Sequence, residues 1–166
     1  MGAEAIALDM GAVPDDQRQR LLDHLISSIE DAGWNLLLGE ISLPSAFRVL
    51  SEAGRDDVIY RIATQTDSPS YGYQVVNGNT ALGESWDGGN GQSQNHFMLG
   101  SIDSWFTSRL AGIDQAPGSA GFRRLLIKPS VVGDLTHASG TRMTPYGEVR
   151  TSWTKRDGRV SLTVTV

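Results

Sequence analysis

The residues best suited to chemistry crowd into one short stretch. Gly83-Glu84-Ser85-Trp86-Asp87-Gly88 sets carboxylates on both sides of a tryptophan in a glycine-rich segment. Gln94-Asn95-His96-Phe97 adds amides and an imidazole a few residues later. These are the groups a sugar site needs. An aromatic face stacks on the apolar side of a pyranose, while carboxylates, amides and imidazoles take up its hydroxyls. A carboxylate that activates water must stay ionised and leave room for that water. The same spacing also suits a structured loop in which Glu84 and Asp87 cap helices and Trp86 is core, so the motif alone leaves both readings open. Asp87-Gly88-Gly89-Asn90-Gly91 lacks the alternating ligands and terminal glutamate of a calcium loop and reads as turn chemistry. His24 has polar helical neighbours and reads as surface, and His137 as a loop or strand residue. No nucleophile-elbow spacing supports a Ser-His-Asp triad.

The elements that must position this cluster are of two kinds. Pro14 suits a first helical turn, and Asp15 and Asp16 sit well at the positive end of a helix dipole. Leu21, Leu22, Leu25, Ile26 and Ile29 then recur at helical spacing up to Gly33, a natural left-handed cap. A second helix is expected from about Pro44 to Gly54, with Phe47, Val49 and Leu50 inward. A third follows Arg55, capped by Asp56 or Asp57, and carries Val58, Ile59, Ile62 and Ala63. Residues 2–10 read as the tail of another helix. Residues 67–95 read as one long loop, which in a compact protein is usually functional or disordered; Tyr71, Tyr73 and Trp86 argue for order. Helical periodicity is expected again from His96 to Leu110, through Phe97, Met98, Ile102, Trp105 and Phe106.

From Pro117 the period changes to two. Phe122 to Ile127 reads as a strand. Val149, Thr151 and Trp153 alternate with polar residues, Asp157-Gly158 is a hairpin turn signal, and Val160, Leu162, Val164 and Val166 alternate on the return.

Composition narrows the function classes. The chain has 166 residues, 39% hydrophobic and 20% charged, which is a folding composition. Its formal charge of −5 is spread through mixed signs, so no basic stripe offers itself to nucleic acid. No apolar run is long enough to span a membrane. The absence of cysteine excludes thiolate ligands, cysteine nucleophiles and disulfides. The first residues lack the order of a secretion signal, which leaves the compartment open.

The order of these pieces resembles the bacterial α-L-rhamnosidases of glycoside hydrolase family 78. The resemblance rests on Thr64-Gln65-Thr66-Asp67, Ser70-Tyr71-Gly72-Tyr73, Glu84-Ser85-Trp86-Asp87, and Ser93-Gln94-Asn95-His96-Phe97-Met98-Leu99-Gly100. Further on, Ala111-Gly112-Ile113, Gly121-Phe122 to Ile127-Lys128-Pro129, and Thr144-Pro145-Tyr146-Gly147 with Trp153 continue it. It implies a mainly α chain with a β tail: residues 1–114 as the C-terminal part of an (α/α)6 six-hairpin catalytic barrel, and 115–166 as the first strands of a truncated antiparallel β-sandwich. About five of roughly twelve barrel helices are then expected here.

The resemblance also implies a chemistry. These enzymes hydrolyse terminal α-L-rhamnosides with inversion: one carboxylic acid protonates the leaving oxygen while a second carboxylate activates water on the opposite face. The family's general base matches Glu84, its imidazole contact to the sugar matches His96, and Trp86 matches an aromatic of the pocket wall. Asn95 and Asp87 are supports. No metal or cofactor is implied. The expected partners are a rhamnose-containing glycoside and the upstream part of the same enzyme, with neither nucleic acid nor membrane. Nothing before residue 67 resembles the family's general-acid segment, so the chain is expected to be inactive by itself. Leu38 stands where family members often carry threonine, which makes Glu40 a second carboxylate candidate. Trp34 suits either the pocket mouth or the core. The alternative is an inactive carbohydrate-binding or structural remnant of a six-hairpin glycosidase.

Overall fold

The computed structural model describes residues 1–166 except 36, 87–92 and 98. The chain divides into two compact units, Met1–Ile102 and Asp103–Val166.

The first unit is helical. Its helices are α1 (Gly2–Asp9), α2 (Asp15–Asp31), α3 (Leu43–Glu52), α4 (Asp56–Thr64) and α5 (Tyr71–Val76), and it closes with a 3₁₀ turn at Leu99–Ser101. The apolar periodicity explains the packing. Leu22, Leu25, Ile26 and Ile29 form the buried stripe of α2, while Phe47, Val49 and Leu50 face inward from α3 and Val58, Ile59 and Ile62 from α4. Helix α1 packs on both α2 and α3, α3 packs on α4, and α4 packs on α5. Polar groups lock two of these junctions. Arg48 Nε of α3 donates to Asp9 Oδ1 at 2.9 Å and Ser45 Oγ to Asp9 Oδ2 at 2.7 Å. At the buried α3–α4 corner, Ser51 Oγ donates to Asp56 Oδ1 at 3.0 Å.

The turns follow from residue type. After α2, Gly33 takes φ +70°; its N–H bonds Glu30 O at 2.8 Å and the Trp34 N–H bonds Ile29 O at 2.9 Å, a Schellman cap. Gly54, at φ +71°, ends α3 with the same pair of bonds, to Ser51 and Leu50. The expected aspartate cap on α4 is not formed. Arg55 occupies the N-cap position without a side-chain cap bond, and Asp56 and Asp57 lie inside the first turn. Asp57 is held instead by the Arg55 guanidinium through two bonds of 2.9 Å.

Two expectations in the middle of the chain are corrected. The stretch expected as loop contains α5, whose start is capped by Ser70 Oγ accepting from the Tyr73 N–H at 2.9 Å. The single helix expected over 96–110 is instead the 3₁₀ turn, one α-turn α6 (Ile102–Trp105) and a π-helical turn at Phe106–Leu110. Ser108 Oγ donates to Ser104 O at 2.6 Å, a local bond that competes with regular helix geometry. Phe97 precedes these turns and is 83% exposed rather than inward, and Met98 lies outside the described residues.

The second unit holds antiparallel sheets. Strand β1 (Ile113–Gln115) pairs with β2 (Leu125–Ile127). Strands β3 (His137–Thr144), β4 (Gly147–Arg156) and β5 (Arg159–Thr165) form a meander with β4 central. The strand expected from Phe122 begins only at Leu125; Phe122 itself sits at φ +59°, under the Arg142 guanidinium. Alternation places Val149, Thr151 and Trp153 on the buried face of β4. Trp153 Nε1 donates to Leu110 O at 2.7 Å and Thr151 Oγ1 to Ala111 O at 2.6 Å, joining the sheet to the π-helical turn. The β4–β5 turn is Asp157-Gly158, with φ +49° and +73°, the positive values a two-residue type I′ hairpin needs.

Candidate functional site

The stretch carrying the sequence-derived candidates is organised from three sides, all within the first unit. Its foot is closed by backbone bonds: the Glu84 N–H to Ser93 O at 2.8 Å and the His96 N–H to Leu82 O at 2.9 Å. The chain around Glu84 therefore runs beside the chain around Asn95 and His96. The Glu84 side chain is exposed, and its Oε2 accepts from the Ser93 N–H at 3.2 Å.

Helix α5 supplies the second side. Tyr71 is buried, packs on Phe47 with ring centroids 6.5 Å apart, and donates from its hydroxyl to Leu99 O at 2.6 Å. Burial pushes its phenol well above the ordinary tyrosine range. The Trp86 ring meets Tyr71 edge-on, with centroids 4.9 Å apart and planes at 86°, the geometry that aligns a ring's positive edge with a negative face. One helical turn along, Gln74 is 1% exposed. Its Oε1 accepts from the Gly83 N–H at 3.0 Å, and its Nε2 donates to Ser85 O at 3.0 Å and to Trp86 O at 3.4 Å.

The third side is the segment after α2. Trp86 Nε1 donates to Leu38 O at 3.3 Å. Two residues further, Glu40 Oε1 lies 3.1 Å from His96 Nδ1, both side chains being partly exposed. The opposite ring contact of His96 is Phe97, nearly parallel at 9° with centroids 5.8 Å apart.

Glu84, Asn95 and His96 are gathered at the loop foot, and the Asn95 N–H bonds Ser93 Oγ at 3.4 Å. Trp86 is half-buried, with its N–H directed to Leu38 and its edge to Tyr71. Asp87 lies outside the described residues, as do 88–91 of the glycine-rich run. Trp34 is neither core nor wholly exposed; it sits half-buried beneath the Arg61 guanidinium, 4.5 Å from the ring centroid. His24 is exposed and meets Glu4 at 2.7 Å. Among the described residues, no group of three or more His, Cys, Asp or Glu is placed to hold a metal ion. Sequence reasoning missed Gln74, because a glutamine at a helical position carries no signal until its burial is known.

Comparison with known proteins matches the chain in two parts, which meet near residue 111. Residues 1–110 match the family described as the bacterial alpha-L-rhamnosidase 6 hairpin glycosidase domain, and residues 112–166 match the bacterial alpha-L-rhamnosidase C-terminal domain. An alpha-L-rhamnosidase of Streptomyces avermitilis is 37% identical over 99% of this chain, and one of Alteromonas sp. strain LOR is 32% identical over 99%. The chain spans 17% and 19% of their respective lengths. The crystal structure of the Streptomyces avermitilis alpha-L-rhamnosidase complexed with L-rhamnose superposes with a TM-score of 0.92 at 36% identity, covering 99% of this chain and 17% of that one. Helices packed by the expected stripes, antiparallel sheets after them, and these matches together establish that the chain belongs to the six-hairpin glycosidase family of the bacterial α-L-rhamnosidases.

Proposed function

We propose that this chain carries the general-base side of an inverting α-L-rhamnosidase site, acting on terminal α-L-rhamnosides. The observation that carries the proposal is the exposed Glu84 carboxylate at the loop foot, beside the His96 segment, in a chain that superposes at TM-score 0.92 on a rhamnosidase crystallised with L-rhamnose. In this reading Glu84 takes a proton from water as the oxygen of that water attacks the anomeric carbon. The glycosidic bond breaks on the opposite face, and its oxygen is protonated by a carboxylic acid about 6.5–9.5 Å from Glu84, the spacing that admits water. Residues 1–166 are assigned no such acid; it belongs to an upstream part of the enzyme, and the chain by itself is inactive.

The neighbours of Glu84 have supporting roles. Glu40 beside Nδ1 of His96 favours a proton on that nitrogen, leaving Nε2 to accept from a sugar hydroxyl. Trp86, held edge-on by Tyr71, forms part of the pocket wall. Asn95 and Asp87 add polar support to the sugar.

The test places this chain in the matching segment of the Streptomyces avermitilis enzyme. The chimera is expected to hydrolyse 4-nitrophenyl α-L-rhamnoside. Glu84→Gln should lower kcat by about 10²- to 10⁴-fold, the usual worth of a general base. In Glu84→Ala, azide should restore turnover as β-rhamnosyl azide, because an anionic nucleophile needs no proton removed. A Glu84→Gln chimera as active as its parent overturns the assignment.

A further inference from the structure

We propose that Gln74 is the positioning residue for Glu84; this rests on the reading of Glu84 as the general base. Gln74 brackets Glu84 in sequence and in space. Its amide oxygen holds the N–H of the residue before, Gly83, and its amide nitrogen holds the carbonyls of the two residues after, Ser85 and Trp86. The backbone N–H of Glu84 itself is tied across the loop to Ser93. One side chain of helix α5 thus holds the Leu82–Gly83 peptide before Glu84 and the Ser85–Trp86 peptide after it, each one residue removed from Glu84.

The choice of residue supports a positioning role. A buried primary amide is costly unless its donors and acceptor are all satisfied, and an apolar side chain would fill the same space at no such cost. Gln74 is 1% exposed and gives both ends of its amide to backbone groups of one loop. Its own helix is held firmly: Tyr71 bonds Leu99 O and packs on Phe47, and Ser70 Oγ donates to Gln65 O at 2.9 Å while capping the helix start. The Glu84 side chain is exposed, and its Oε2 accepts from the Ser93 N–H at 3.2 Å. The geometry therefore transmits the rigidity of α5 to a carboxylate that must hold water in line.

Two substitutions in the chimera test this. Gln74→Met removes both ends of the clasp. Gln74→Glu keeps the acceptor for Gly83 and cannot donate to both carbonyls. For Gln74→Met, kcat for 4-nitrophenyl α-L-rhamnoside is expected to fall tenfold to about a hundredfold, the cost of misplacing a catalytic group by about 1 Å, with KM within about threefold. Gln74→Glu should fall between Gln74→Met and the parent. The decisive comparison is made in Glu84→Ala with azide. A residue that acts through Glu84 has little left to do there, so Gln74→Met should change that rate less than about threefold. An unchanged kcat in Gln74→Met overturns the proposal, and so does an equal loss with and without Glu84. Amide exchange in the 166-residue chain gives a readout that needs no activity: the Gly83 N–H should exchange at least tenfold faster in Gln74→Met. Should Glu84→Ala itself leave kcat intact, the reading of Glu84 has failed instead; unchanged Gly83 exchange would then overturn the clasp independently.

Discussion

Helix α5 lies close against the chain before it at Gly72, and that contact can be perturbed by a single methyl group. A Cβ at Gly72 would lie 2.3 Å from Gln65 O, 3.1 Å from Gln65 C and 3.3 Å from Thr66 Cγ2. A normal carbon–oxygen contact is about 3.3 Å, so Gly72→Ala must move α5 or residue 65 by roughly 1 Å. The carbonyl cannot yield freely, since it already accepts from Ser70 Oγ. Gly72 has no positive φ, so alanine meets no backbone strain and regains up to about 1 kcal/mol of helix propensity. Overpacking against backbone costs about 1–3 kcal/mol. The net expectation is a loss of about 1–2 kcal/mol in the first unit, read from urea unfolding of the helical circular-dichroism signal. Gly39→Ala is the control, because a Cβ there has nothing within 4 Å and no positive φ; it should stay within about 0.5 kcal/mol of the parent. Because α5 carries Tyr71 and Gln74, Gly72→Ala in the chimera should also lower kcat about tenfold. A Gly72→Ala chain as stable as the parent would refute the close approach and the reasoning built on it.

Two further outcomes are expected. The Arg48 guanidinium and the Ser45 hydroxyl hold the Asp9 carboxyl below its usual range; a depressed folded-state pKa stabilises above the unfolded value of about 3.9 and is lost as pH falls through the folded one. Asp9→Asn should therefore cost about 1 kcal/mol at neutral pH, a modest figure because Arg48 is largely exposed, and the two unfolding curves should converge in acid; a gap that stays constant from neutral to low pH would sink this account. In the second unit, Trp153→Phe leaves a void and strips the Leu110 carbonyl of its 2.7 Å donor, so it should destabilise the sheet by about 3 kcal/mol in urea titration; a loss below about 1 kcal/mol would show that the bond and the packing carry little.

The contacts around the candidate loop also divide labour between two kinds of group. Buried, fully bonded side chains, Tyr71 and Gln74, fix the loop from beneath. Glu84 is exposed, and Trp86, Glu40 and His96 are half-buried.

Much of the helical unit is legible in the sequence. Apolar residues at helical spacing, with Pro14 before and Gly33 and Gly54 after, define α2 and α3 within a residue or two, because each signal is local to its own turn. The same holds for β4, where alternation alone puts Val149, Thr151 and Trp153 on one face, and for the Asp157-Gly158 turn. Glu84, Trp86 and His96 stand out as candidates by type and spacing. Tertiary structure decided the rest. Six residues of α5 are too few to hold a helix by propensity; Ser70 and the packing of Tyr71 make it one. Phe97 fits a helical stripe in the sequence yet lies outside, since the helical turns begin only at Leu99. The placement of Leu38 O under the Trp86 indole, of Glu40 beside His96, and of Gln74 under Gly83 and Ser85 joins residues that no periodicity relates. A pattern of apolar spacing says which face of an element turns inward, but which polar group waits there depends on how separate elements pack.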